Sequence, residues 1–155
     1  MAGRIDARLK ELGIVLPKAA APVANYVPWV VTGSLVYISG QGPMGPNGPE
    51  FRGKLGRDLE VEEGKKAARL TALNVVAQLR EALGGDLDRV TRVVKLLGFV
   101  NSTPEFNQQP AVINGASDVL VEIFGEAGRH ARSAVSAPSL PIDIAVEIEA
   151  IFEVR

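Results

Sequence analysis

The sequence predicts an α+β fold, a mixed β-sheet with two helices packed on one of its faces. Three observations predict it. Residues 58 to 83 carry apolar side chains at helical spacing, a second helical stripe follows around residue 116, and the runs beside them are β-branched or strictly alternating. Taken in chain order they read β-β-(β)-α-β-α-β-β, in one domain over residues 1–155 with an N-terminal helical extension over 1–14.

Residues 3 to 12 make a short amphipathic helix, with Ile5, Leu9 and Leu12 on one side and Gly13 as its stop. LPKAAAPVA follows as an extended linker, stiffened by Pro17 and Pro22. YVPWVV and LVYIS are two strands split by the hairpin signal TGS. The stretch from Gly40 to Gly56 (GQGPMGPNGPEFRGKLG) is too rich in glycine and proline to be helical, so it is a loop, with room for a short strand near Leu55. The long helix runs from Asp58 to Leu83, with Ala68, Ala72, Val75, Val76, Leu79 and Leu83 on its apolar face and Glu62 placed to pair with Lys66. Gly84 and Gly85 end it.

VTRVVKLLGFV, 90 to 100, reads as a central strand. Thr103-Pro104 marks the next helix start, whose stripe is Ala116, Leu120, Ile123 and Phe124, and Pro110 makes its first turns irregular. ARSAVSA is a further strand, parallel to the one at 90–100 through a right-handed crossover. The last strand, IDIAVEIEAIFEV, puts Ile142, Ile144, Val146, Ile148, Ala150, Phe152 and Val154 on one face and Asp143, Glu147, Glu149 and Glu153 on the other. That acidic row also contains Ala145 and Ile151, so its face is not wholly solvated. A second copy covering it resolves the conflict, which predicts a homo-oligomer that meets sheet to sheet.

Composition narrows the function. A net charge of −1 with 23% charged residues is no nucleic-acid footprint. The first residues, MAGRIDARLKELG, are too charged for a signal peptide, and no apolar run reaches membrane-spanning length, so a cytoplasmic address is expected. The absence of cysteine removes disulfides, thiol nucleophiles and thiolate metal sites.

Few side chains are left to carry chemistry. His130, the only histidine, has no second histidine for a metal, and its ordinary reading is a loop or surface imidazole. The glycine-rich loop lacks a phosphate-loop pattern and reads as a structural turn. Glu147 and Glu149 share a strand face, where such residues are commonly solvated, and Arg132 begins a strand, where an arginine commonly makes an ion pair. On a covered sheet face both readings change: a covered arginine needs an anion and a covered glutamate needs a donor. They satisfy each other, or a carboxylate ligand and a water complete the set.

The segment ARSAVSAPSLPIDIAVEIEAIFEV resembles the C-terminal signature of the Rid (YjgF-type) reactive-intermediate deaminases, ARSxV…LP…(V/I)EIEAI, with Arg132 and Glu147 fifteen residues apart as in that pattern. PVANYV with Tyr26, YISGQGP with Ser39 and Gly40, and VINGASDVLVEIFG with Asn114 extend the likeness over roughly residues 15 to 155. The resemblance implies a chorismate-mutase-like fold, a homotrimer with ligand clefts between subunits, and hydrolysis of enamines and imines such as 2-aminoacrylate to 2-oxo acids and ammonia. It implies that Arg132 clamps the substrate carboxylate, that Glu147 holds and activates the attacking water, and that Tyr26, Ser39, Gly40 and Asn114 line the cleft.

The residue types suit that chemistry. Guanidinium matches a carboxylate bidentately, and an iminium carbon is electrophilic without a metal, cofactor or covalent nucleophile. The chain departs from the family in three places. Ala134 stands where many members have cysteine, so only its backbone carbonyl can contribute. Ala24-Asn25 replaces Gly-Pro before Tyr26. The N-terminal helix and longer loop point to a longer subgroup. Two other functions stay open: a module that binds 2-oxo acids without turnover, and an endoribonuclease, a label the family often carries and the one this balanced charge suits least.

Overall fold

A computed structural model describes residues 3–155; Met1 and Ala2, counted in the predicted N-terminal extension, lie outside the described residues. Helix α1 spans Arg4–Glu11. Strands β1 (Trp29–Thr32) and β2 (Leu35–Gln41) form a hairpin, and a small second hairpin, β3 (Met44–Gly45) with β4 (Gly48–Pro49), lies inside the glycine-rich loop. Then come α2 (Val61–Ala82), β5 (Val90–Asn101), α3 (Gln109–Phe124), β6 (Ala131–Ala137) and β7 (Val146–Val154). The main sheet has the order β1-β2-β7-β5-β6, with β5 and β6 parallel and the other pairs antiparallel. The predicted mixed sheet and its parallel β-α-β unit are therefore present.

The core lies between the sheet and the helices. Val36, Ile38, Leu96, Val100, Ile148, Ala150 and Phe152 on the sheet pack against Ala68, Ala72, Val75, Leu79, Ile113, Ala116 and Leu120, all almost wholly buried. Two helices, α2 and α3, were expected on this face; α1 joins them, burying Ile5 and Leu9. Arg8 Nε on α1 donates to the Glu122 carbonyl of α3 at 2.9 Å. Close approach sets the height of α3 above the sheet. A Cβ at Gly115 would lie 2.1 Å from the Lys65 carbonyl of α2, and one at Gly98 of β5 would lie 2.6 Å from Ile113. At Gly115 the obstacle is backbone and a Cβ would push the helices apart, and at Gly98 it would displace the Ile113 side chain, so both glycines let the layers touch.

Several boundaries differ from the expectation, each for a local reason. Helix α2 begins after Glu60, where the Glu63 carboxylate accepts the Glu60 N–H at 3.0 Å; Asp58 instead accepts the Lys54 N–H at 2.8 Å. Glu62 pairs with Lys65 at 3.8 Å rather than with Lys66. Pro110 falls in the first turn of α3, where its missing N–H costs nothing, so those turns are regular and residues 103–108 form the entry turn. The final strand starts at Val146, not Ile142: Pro141–Asp143 is a helical turn in which Ile142 and Asp143 have φ of 51° and 61°. Ile142, assigned to the core by alternation, is exposed. Leu55 makes the expected short strand contact, its N–H reaching the Asn101 carbonyl at 2.9 Å. Among the described residues no helix is long and apolar enough to cross a membrane.

Candidate active site

Arg132 stands at the start of β6, the edge strand, opposite Leu96 of β5. Leu96 is buried under the helices, so this row faces the helical layer. There α3 presents Asn114 and Ser117, one helical turn apart on one side of the helix. Arg132 Nη1 donates to Asn114 Oδ1 at 2.8 Å and to Ser117 Oγ at 3.1 Å. Among the described residues Nε and Nη2 have no partner, so part of the guanidinium is held and part is open. The cleft, about 270 Å³, is lined by Asn114, Ser117, Asp118, Val121, Arg129, His130 and Arg132. Ala134 follows two residues later in the same row and packs against the core.

Glu147 lies on the other side of the sheet. It is opposite Phe99, and its neighbours Val146 and Ile148 point into the core, so its carboxylate projects from the face the helices leave open. No cation pairs with it among the described residues. Burial, and secondarily the nearby Glu149 carboxylate, push its pKa above the usual carboxylate range. Gly40 sits beneath it: a Cβ there would lie 3.0 Å from the Glu147 carboxyl carbon. Gly40 and Ser39 fall in the irregular stretch of the β2–β7 ladder between Ile38 and Gln41, which opens space for that carboxylate. Ser39 Oγ donates to the Val27 carbonyl at 2.7 Å and its N–H to the Pro28 carbonyl at 3.0 Å, tying the bulge to the bend that carries Tyr26. Tyr26 is half exposed.

The predicted residues thus fall into two half-sites. Arg132, Asn114 and Ala134 share the helix side at the sheet edge; Glu147, Gly40 and Ser39 share the open side, with the Tyr26 bend joined to them through Ser39. A single chain does not bring Arg132 and Glu147 together, because their rows face opposite ways. The open face between them and the other sheet edge is apolar: Val30, Tyr37, Leu97, Ile151 and the stem of Lys95 line a depression of about 330 Å³ with Ser39 and Glu149. Val135 and Tyr37 expose 44% and 43% of their surface there, more apolar area than a finished sheet face needs.

Sequence reasoning missed Ser117 and passed over His130. The imidazole is half-buried rather than a free loop group, with Nε2 2.9 Å from Ser117 Oγ and Nδ1 2.7 Å from the Gly128 carbonyl. Both signals were in the chain: Ser117 is three residues from Asn114 on a helix, and His130 is two from Arg132 at a strand start.

Residues 6–153 match the family described as "YjgF/chorismate_mutase-like, putative endoribonuclease". Protein TCP17 of Trypanosoma cruzi is 53% identical over 99% of this chain and 96% of its own. The goat 2-iminobutanoate/2-iminopropanoate deaminase is 31% identical over 86% of this chain and 83% of its own. The crystal structure of Atu1372 from Agrobacterium tumefaciens superposes with a TM-score of 0.91 at 50% identity, covering 97% of this chain and 92% of that one. A family match that spans nearly every described element, with a relative 53% identical over almost the whole chain, makes this chain a member of the YjgF family.

Proposed function

We propose that the protein is a metal-independent hydrolase of 2-imino and enamine acids, releasing 2-oxo acids and ammonia from a cleft formed between copies of the chain. The observation that carries this reading is the half-held guanidinium of Arg132: Asn114 and Ser117 fix one nitrogen while Nε and Nη2 remain for a carboxylate. The deaminase named among the relatives supports the substrate class.

Arg132 is on the edge strand and Glu147 on the open face, so a neighbouring copy that lays its open face against that edge joins the two half-sites. A homotrimer closes such head-to-tail contacts into a ring with three equal clefts. In each, Arg132 anchors the substrate carboxylate and Glu147 of the next copy takes a proton from water. The hydroxide adds to the carbon of the protonated imine to give a carbinolamine. Glu147 then hands its proton to nitrogen and takes the carbinolamine hydroxyl proton as the C–N bond breaks, and ammonia and the 2-oxo acid leave. An enamine such as 2-aminoacrylate first takes a proton at its terminal carbon. The raised pKa of Glu147 suits a group that must both accept and return a proton near neutrality.

An amino-acid oxidase or dehydratase that generates the imine tests this. Adding the protein is expected to accelerate 2-oxo acid release, and Arg132→Ala to reduce that acceleration at least tenfold, about one charged hydrogen bond. Carboxylate binding by calorimetry with no acceleration for any of several amino acids would leave a binding module and reject the hydrolase.

A further inference from the structure

We infer that His130 is a positioning residue for Arg132, acting through Ser117 as a proton-ordered relay that turns the Ser117 hydroxyl to accept from the guanidinium while the imidazole is neutral; this rests on reading Arg132 as the carboxylate clamp.

The hydrogen positions follow from the partners. The Gly128 carbonyl can only accept, so the His130 nitrogen 2.7 Å from it, Nδ1, carries the proton. Neutral imidazole then has a bare lone pair on Nε2, facing Ser117 Oγ at 2.9 Å. Arg132 can only donate, so Ser117 Oγ accepts from Nη1 at 3.1 Å and sends its own proton to His130. Every group is satisfied in one arrangement, Arg132 to Ser117 to His130 to Gly128. Gly128 is itself fixed against α3, since a Cβ there would lie 2.4 Å from the Leu120 carbonyl. The anchor of the relay therefore packs against the same helix that supplies Asn114 and Ser117.

Protonation of His130 reverses one bond. Nε2–H then points at Ser117 Oγ, the hydroxyl proton loses its acceptor, and a cation appears beside the guanidinium. Burial first, and the Arg132 charge as the remaining unfavourable influence, hold the imidazole pKa below its ordinary value, against the Gly128 bond that raises it. The other charged groups lining the clefts beside it are Asp118 from α3, Glu126 and Arg129 from the turn before β6, and Arg92 from β5. Arg129 is engaged with Glu126 at 3.3 Å.

The lone histidine makes the test clean. In nitrogen and carbon NMR of the uncomplexed protein, the neutral ring is expected as the Nδ1–H tautomer, and Ser117→Ala, which removes the donor to the neutral form, to raise the titration midpoint. An Nε2–H tautomer, or an unchanged midpoint in S117A, overturns the relay whatever the protein binds. In calorimetry with 2-oxobutyrate, His130→Phe is expected to weaken binding about three- to tenfold, the size of one neutral hydrogen bond. His130→Gln, which returns an acceptor to Ser117, is expected to recover most of it. Wild-type affinity should fall as pH drops through the His130 midpoint, and H130Q should remove that limb although Glu147 still titrates. Wild-type affinity in H130F, or a pH limb that persists in H130Q, overturns the inference. Wild-type protein that does not bind 2-oxobutyrate, or Arg132→Ala that binds it equally, overturns the clamp itself and the inference with it, a result the ligand-free NMR separates from failure of the relay.

Discussion

Glu147 has no cation beside it among the described residues and is half-buried on a sheet face that also carries Glu149, so the folded chain disfavours its charge. The linkage has a definite sign. Between the unfolded glutamate pKa of about 4.3 and the higher folded value, the native state binds more protons, so stability falls as pH rises through that window. Glu147→Gln is therefore expected to raise the melting temperature at pH 7 by a few degrees, the gain vanishing near pH 4. The same substitution should lower kcat for imine hydrolysis by about 10²-fold or more, in keeping with general-base roles, while 2-oxo acid binding persists. Thermal melts over pH and coupled-oxidase assays check both. A residue that destabilises the fold yet is needed for turnover marks a site and not a structural ion pair.

At the scale of elements, α3 is the part that decides whether Arg132 is held. Its Gly115 touches the Lys65 carbonyl of α2, so Gly115→Ala must move one helix. The expected cost is about 1–3 kcal/mol by chemical denaturation, with weaker 2-oxobutyrate binding because Asn114 and Ser117 move with α3. Helix α1 is tethered differently. The Asp88 carboxylate accepts the Arg4 and Ile5 N–H groups, both at 2.8 Å, serving as a remote cap for a helix whose own N-cap is Gly3. Those bonds, Ile5 first and then Arg4, hold the Asp88 pKa below its ordinary value. The stability they add is present above the ordinary aspartate range and is lost as pH falls through the lowered folded value. Asp88→Asn should cost about 1 kcal/mol and speed amide exchange in α1 while leaving the sheet protected.

For the whole molecule, the proposed hydrolysis depends on what covers the open sheet face. One chain leaves Val135 and Tyr37 exposed there and keeps its arginine and glutamate on opposite sides. Val135→Arg on β6 puts a charge into the proposed contact without touching either half-site. Sedimentation is expected to show a trimer for wild type and a folded monomer for V135R, with imine hydrolysis lost. A monomer that still hydrolyses imines would sink the shared cleft.

By itself the sequence determined the layers. Period-2 alternation in β7 and helical spacing in α2 and α3 report which side chains leave water, and that burial is written locally. It also marked Arg132 and Glu147, whose spacing carries the family pattern, and Asn114 through the segment VINGASDVLVEIFG. It misplaced the start of β7, because Ile142 alternates like a strand residue while its backbone turns left-handed to let the Arg52 Nε and the Gly53 N–H reach the Ile142 and Asp143 carbonyls. Only the tertiary structure decided that Ser117 meets both Arg132 and His130, and that Glu147 faces away from Arg132. Hydrogen bonds between residues distant along the chain, and the sides of a sheet joined through a crossover, depend on how α3 seats against β6, and no local pattern encodes that distance.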